Sequence, residues 1–336
     1  MQRRATLRAC LWIAGLLAAF GGLGCAETSP ADRPDGAAPV VDGGIATDAM
    51  TATDATSTTD ATSTTDATST TDATSATDSG PADAGATPDA GAAPDASAAL
   101  RLPPANAAFD YQLGGSYPPP AGVQVLARDR TEPPVPGLYN ICYVNGFQIQ
   151  PNEVAFWETN HPELMLRDGG GNLVVDTAWN EILLDVSTPA KRVAIAAVVG
   201  AWIDGCARAG YDAVDIDNLD SYSRSRGLLT VDQDVAAMRL FADAAHARGL
   251  AISQKNSSEV AARRTEMATD FVIAEECNRY SECGSYTAAY GDQVFVIEYR
   301  RADFDTGCAA YPNLSIILRD LDLVTPADRG YVYQGC

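Results

Sequence analysis

The sequence predicts an α/β fold, a (β/α)8 TIM barrel, carried behind a signal peptide and a disordered low-complexity tether. Eight short strand-like runs recur after residue 120, with helical patterns between several of them, as in a parallel barrel. Each run ends in a polar residue, and strand ends are where such a barrel holds its site. One run, Tyr211 to Asp220, reads Tyr-Asp-Ala-Val-Asp-Ile-Asp-Asn-Leu-Asp. Its period-2 alternation is that of a strand that carries acid where a hydrophobe belongs.

The chain opens with Arg3, Arg4 and Arg8, an apolar run from Leu11 to Leu23, then Gly24 and Cys25, the order of an export signal. The apolar run is shorter than the ~20 residues a bilayer span needs. Cys25 after Leu23-Gly24 resembles the lipobox of bacterial lipoproteins, although Gly22 departs from that motif; cleavage nearby without a lipid is the alternative. Residues 1–25 are assigned to the signal. The chain is expected at the cell surface or outside the cell, touching membrane only through a lipid on Cys25.

Residues 26–100 are almost all Ala, Thr, Asp, Ser, Pro and Gly, with Asp54, Asp60, Asp66, Asp72 and Asp78 six apart. Such a composition cannot fill a core and describes a solvated spacer. It holds 13 of the 44 acidic residues, which leaves 31 acids against 19 bases in residues 101–336. An acidic domain argues against nucleic acid, whose binding rests on Lys and Arg, and suits a neutral or cationic partner.

Residues 101–336 are enough for one large core. Its strand-like runs are Gly122 to Asp129, Leu138 to Asn145, Glu181 to Ser187, Ala213 to Asn218, Ala251 to Asn256, Phe271 to Glu276, Val294 to Tyr299 and Ser315 to Asp320. Helices are predicted over Pro189 to Ala209, with Ser187 or Thr188 as cap and Gly210 as stop, and over Asp232 to Arg248, stopped by Gly249. Thr131 to Gly137 holds Pro133, Pro134 and Pro136, so the first crossover is loop rather than helix. The six cysteines after Cys25, even in number in an exported chain, read as disulfides. Spacing leaves fifteen pairings open; the one expected is Cys142 with Cys206, Cys277 with Cys283, and Cys308 with Cys336.

The run ends are Asp129, Asn145, Ser187, Asp217-Asn218, Lys255-Asn256, Glu275-Glu276, Glu298-Tyr299 and Arg319-Asp320. Turn chemistry alone would favour Gly, Asn, Asp and Ser, not Lys255, Glu275, Tyr299 or Arg319. Two carboxylates facing across a groove are the equipment of glycoside hydrolysis, one giving a proton and one staying charged. Alternation puts Asp215 with Asp217 on one face, and Ile273 with Glu275 on one face, which favours Glu275 over Glu276. The polar neighbours of Asp217 suit an ionised nucleophile. The apolar approach Val272-Ile-Ala274 suits Glu275 as general acid and base. His246 in a helical pattern and His161 before Pro162 read as structural. No calcium-loop glycine follows Asp215, Asp217 and Asp220, and neither a metal nor a cofactor is assigned.

The runs Phe109-Asp-Tyr-Gln-Leu-Gly114, Ile141-Cys-Tyr-Val-Asn145, Asp212-Ala-Val-Asp-Ile-Asp-Asn-Leu-Asp220, Gln254-Lys-Asn256 and Ala274-Glu-Glu-Cys277 with Cys283 together resemble glycoside hydrolase family 114, the endo-α-1,4-polygalactosaminidases. The resemblance spans about residues 107–336. It implies a (β/α)8 barrel without cofactor that cleaves within α-1,4-linked galactosamine-containing polysaccharide, with Asp217 and Glu275 as the catalytic pair. The substrate-binding candidates are Asp110, Tyr111, Asp129, Tyr143, Asp215, Asn218, Asp220, Lys255, Asn256, Glu276, Glu298, Tyr299 and Arg319. Tyr222 and Tyr280 are further rim aromatics. Two other classes remain: a non-catalytic carbohydrate-binding barrel, which would be expected to lack one of the two carboxylates, and a carboxylate-metal hydrolase, which a chelator would inhibit.

Overall fold

The computed structural model describes residues 100–336; the expectations for the signal and for the tether up to Ala99 lie outside the described residues. The strands are β1 (Phe109–Gln112), β2 (Val125–Asp129), β3 (Tyr139–Asn145), β4 (Gln148–Ile149), β5 (Val175–Asp176) and β6 (Glu181–Leu183). There follow β7 (Ala213–Asp217), β8 (Ala251–Lys255), β9 (Phe271–Glu275), β10 (Val294–Glu298), β11 (Ser315–Arg319) and β12 (Tyr333–Gly335). The helices are α1 (Val154–Asn160), α2 (Pro189–Ala209), α3 (Ser221–Arg224), α4 (Val231–His246), α5 (Arg264–Met267), α6 (Cys283–Tyr290) and α7 (Arg301–Ala310).

Eight strands, β1, β2, β3 and β7 through β11, run parallel in that order. β1 and β11 come together at the seam, where β12 pairs antiparallel with β11. The sheet is thus a nearly closed barrel, consistent with the (β/α)8 type. Alternation sorts its side chains into two layers. Phe109, Ile141, Ala213, Ala251, Phe271, Ile273, Phe295, Ile297 and Ile317 fill the interior. The intervening residues face the helices: Val214, Ile216 and Ile252 pack with α2 and α4, while Val272, Val296 and Ile316 pack with α6 and α7.

One of the eight predicted strands is replaced. Glu181–Leu183 does not enter the barrel; it pairs antiparallel with β4 and β5 in a separate small sheet. Its partner β5 lies only a hairpin away, so local antiparallel pairing wins. The vacant barrel place goes to β1, whose alternate residues Asp110 and Gln112 are polar yet fully buried. They are satisfied by each other and by Arg319 and Arg128, so the run lacks the apolar signature of a buried strand.

The connections from β1 to β2 and from β2 to β3 carry no helix, as the prolines require. Helix α2 starts at Thr188, whose hydroxyl accepts from Lys191 N, and ends at Gly210 in the left-handed region at φ +92°, which glycine tolerates. Helix α4 starts in a capping box between Thr230 and Gln233, two residues' side chains meeting each other's backbone N–H. Among the described residues the disulfides are the three expected pairs, with Cα separations of 6.1 Å for Cys142–Cys206, 4.9 Å for Cys277–Cys283 and 5.7 Å for Cys308–Cys336. The first clamps α2 onto β3, and the third ties the chain end to α7. Among the described residues no helix is long and apolar enough to cross a membrane.

Candidate active site

Five neighbouring strands place an inward side chain at the same end of the barrel: Tyr143 from β3, Asp217 from β7, Lys255 from β8, Glu275 from β9 and, just past β10, Tyr299. The register aligns Asn145 with Asp217 and Glu275 with Ile297, so these ends form one rim. Lys255 is the hub. Its Nζ donates to Asp217 Oδ1 at 3.2 Å and to Tyr111 Oη at 3.3 Å, and stands 3.1 Å from Glu275 Oε2. Lys255 is 3% exposed, Asp217 19% and Glu275 26%; the cation is sealed in and the carboxylates reach the opening.

Asp217 also accepts from the Tyr143 hydroxyl at 2.6 Å and the Asn218 N–H at 2.8 Å. Burial alone would push its carboxyl up, but Lys255 and these two donors hold it below the usual carboxylate range. Burial likewise works against the Lys255 charge, yet Asp217, Glu275 and Asp215 keep its pKa well above the ordinary lysine value. One layer deeper, Asp215 accepts from Tyr111 Oη at 2.8 Å and from the Ser253 hydroxyl. Burial first, with Asp217 adding to it, raises Asp215 to about 6 although Lys255 opposes.

Glu275 accepts from Asn256 Nδ2 at 3.0 Å and from the Tyr299 hydroxyl. Its surroundings are therefore polar, not the apolar pocket that Val272-Ile-Ala274 suggests. Val272 and Ala274 point outward into the helix layer and Ile273 lies deeper in the barrel. Tyr143, Tyr299 and Tyr111 are raised by burial and then by these carboxylates, so each serves as a hydrogen-bond donor.

Three successive strands leave the rim through a left-handed residue: Asn218 at φ +66°, Asn256 at +50° and Glu276 at +56°. Asparagine adopts this region readily and glutamate does not. The turn swings Glu276 outward, where it pairs with Arg279 at 2.7 Å; Glu275 is the glutamate that the barrel aims inward.

Other predicted residues lie elsewhere. Asp110 and Arg319 form an ion pair at 3.0 Å with both side chains fully buried; Arg319 also holds Val324 O and Val332 O. The pair bolts the seam and reaches no groove. Glu298 alternates outward, accepting from Asn278 N at 2.9 Å; burial raises it to about 7. Asp129 closes its own turn by accepting from Thr131 N at 2.9 Å. Asp220 pairs with Arg224 at the start of α3, with burial raising its carboxyl. Tyr222 donates to Glu259, and Tyr280 is exposed beneath the Arg279 guanidinium. His246 accepts a structural role in α4 through Asp270 at 2.9 Å.

One carboxylate beside the pair carries no signal in the sequence reading. Glu181 Oε2 accepts from Asn145 Nδ2 at 2.9 Å and Asn218 Nδ2 at 3.4 Å. Burial, then the charge of Asp217, raises Glu181 to about 7. No periodicity could reveal it, because it opens a short hairpin strand outside the barrel. For metals, the sulfurs of Cys277 and Cys283 lie near a Glu298 oxygen, but they are bonded to each other and offer no thiolate. Between Asp217 and Glu275 the Lys255 ammonium occupies the place a cation would take.

An inward carboxylate pair at one end of a nearly closed α/β barrel defines the class, a glycoside hydrolase. The chain belongs to glycoside-hydrolase family GH114, whose pattern it matches over residues 90–336. The fold is similar to that of Aspergillus fumigatus Ega3 in complex with galactosamine, at a TM-score of 0.58 and 20% identity, over 71% of this chain and 99% of that one. The glycoside hydrolase domain of Pseudomonas aeruginosa PelA aligns at a TM-score of 0.45 and 16% identity, over 68% of this chain and 97% of that one. No curated protein matches the sequence.

Proposed function

We propose that this glycoside hydrolase cuts within α-1,4-linked galactosamine-containing polysaccharide, with Asp217 as nucleophile and Glu275 as general acid and base. The observation that carries the reading is the single buried ammonium shared by both carboxylates. Lys255 and Tyr143 keep Asp217 ionised, as attack on the anomeric carbon requires. Glu275, the more exposed of the two, protonates the leaving glycosidic oxygen and then takes a proton from the water that frees the sugar. Family membership, the galactosamine bound to Ega3 and the acidic domain support an amino-sugar substrate.

Retention of anomeric configuration fits the geometry. One ammonium holds an oxygen of each carboxylate, with contacts of 3.2 and 3.1 Å. Drawing the two groups together in this way favours the ~5 to 5.5 Å spacing of retaining enzymes over the wider pair that admits an attacking water.

Incubating the full chain with partly deacetylated α-1,4-galactosamine polymer tests the reading: a spread of oligosaccharides supports it, and an intact polymer rejects it. The signal and tether extend the proposal to an exported enzyme, held by a lipid on Cys25 or released. Membrane association lost on Cys25→Ser supports the lipid, and association unchanged rejects it.

A further inference from the structure

The small sheet outside the barrel brings one unassigned carboxylate, Glu181, beside Asp217 and carries an open indole, Trp179, two residues before it. Glu181 begins β6 opposite Asp176, and the connecting turn carries Trp179 and Asn180, the latter at φ +57°. Glu181 Oε2 is held by the amides of Asn145 and Asn218, the residues that flank Asp217 in register and in sequence. Its Oε1 meets no donor among the described residues and is not sealed from solvent. The nearby cation, Arg224, is already taken by Asp176 at 3.2 Å, by Asp220 and by Asn218 Oδ1 at 3.0 Å. A carboxylate fixed by one oxygen, next to a second carboxylate and reached by the field of an arginine that other acids share, is a place where an incoming cation gains most.

Trp179 is 41% exposed and makes no ring contact, hydrogen bond or ion pair among the described residues. An indole left open at a hairpin tip offers the flat apolar face on which a pyranose ring stacks.

We propose that the β5–β6 hairpin is a recognition subsite for a galactosamine unit beside the scissile bond, with Glu181 Oε1 accepting from its ammonium and Trp179 underlying its ring. The inference rests on the proposed galactosaminidase reading and adds the residue that tells a free amine from an acetamide. An acetamide is neutral and cannot supply the missing charge, so Glu181 discriminates by charge rather than by shape. Burial and Asp217 raise Glu181 to about 7 against the pull of Asn145 and Arg224, consistent with a carboxylate whose nearby cation is shared with other acids.

The experiment compares wild type, Glu181→Gln and Trp179→Ala on fully deacetylated and fully N-acetylated α-1,4-galactosamine polymers, with unfolding curves alongside. For Glu181→Gln the ratio of kcat/KM on deacetylated to acetylated polymer should fall by roughly 10- to 100-fold, the scale of one charge-assisted hydrogen bond. Trp179→Ala should raise KM on both polymers severalfold with its unfolding transition unmoved. An unchanged ratio in folded Glu181→Gln overturns the ammonium contact. So does an equal collapse on both polymers, which would make Glu181 part of proton transfer. An unchanged KM in Trp179→Ala overturns the ring platform, whether or not Glu181→Gln folds. Wild type inert on both polymers removes the galactosaminidase reading itself, and the subsite with it.

Discussion

Lys255 lies 3.2 Å from Asp217 across adjacent barrel strands, and the same ammonium reaches Glu275 at 3.1 Å. This contact sets the charge of the proposed nucleophile. Lysine at 3% exposure is costly unless paired, and it is paired twice. Replacing it by Met should lower kcat by at least ~100-fold, the scale of losing one buried electrostatic partner at a reacting group. The pH profile gives the sign. Lys255 holds Asp217 below the usual carboxylate range, so its loss raises that pKa and moves the acid limb of activity to higher pH. An acid limb left in place would show that Lys255 does not govern Asp217.

Arg319 and Asp110 make the opposite case, a charged pair that belongs to the fold. Both are fully buried, so Arg319→Met strands a carboxylate and should cost about 3 to 5 kcal/mol in denaturant unfolding. The fraction that folds should keep the wild-type KM. A raised KM without lost stability would return the pair to the substrate groove.

The Cys142–Cys206 bridge closes a loop with a sequence separation of 64 and pins α2 against β3. The double variant Cys142→Ala, Cys206→Ala should lose ~2 to 4 kcal/mol, read from the shift of the urea midpoint. A midpoint unchanged would mean that packing alone holds α2.

His246 predicts a pH dependence of stability. Its pKa is raised by the hydrogen bond and charge of Asp270, so the protonated form is favoured by folding. The contribution is complete below the unfolded value of ~6.5 and disappears as pH rises through the higher folded value. Being partly exposed, it is worth under ~1 kcal/mol. His246→Gln should flatten the stability curve between pH 6 and 8; a curve of unchanged slope would assign the dependence to another group.

The barrel and its central pair were legible because alternation along β7, β8 and β9 put Asp217, Lys255 and Glu275 inward at strand ends. The same alternation, applied to β10, also tells why Glu298 faces the helices: Ile297 and Tyr299 share the inward face, leaving Glu298 to the other. Polarity at a strand end is thus too coarse a test without parity. Strand β1 was hidden because its buried outward residues, Asp110 and Gln112, are polar and bonded to arginines distant in sequence. Glu181 was hidden because its neighbours, Asn145 and Asn218, meet it only through the fold.

The most direct test of the central assignment is the rate of polymer cleavage by Asp217→Asn and by Glu275→Gln, each measured beside its thermal unfolding. Either amide keeps the shape of the side chain and removes its charge. Both variants should fold, and each should lose ~10³-fold or more in kcat. A folded variant of either kind that turns over near the wild-type rate would contradict the carboxylate-pair mechanism.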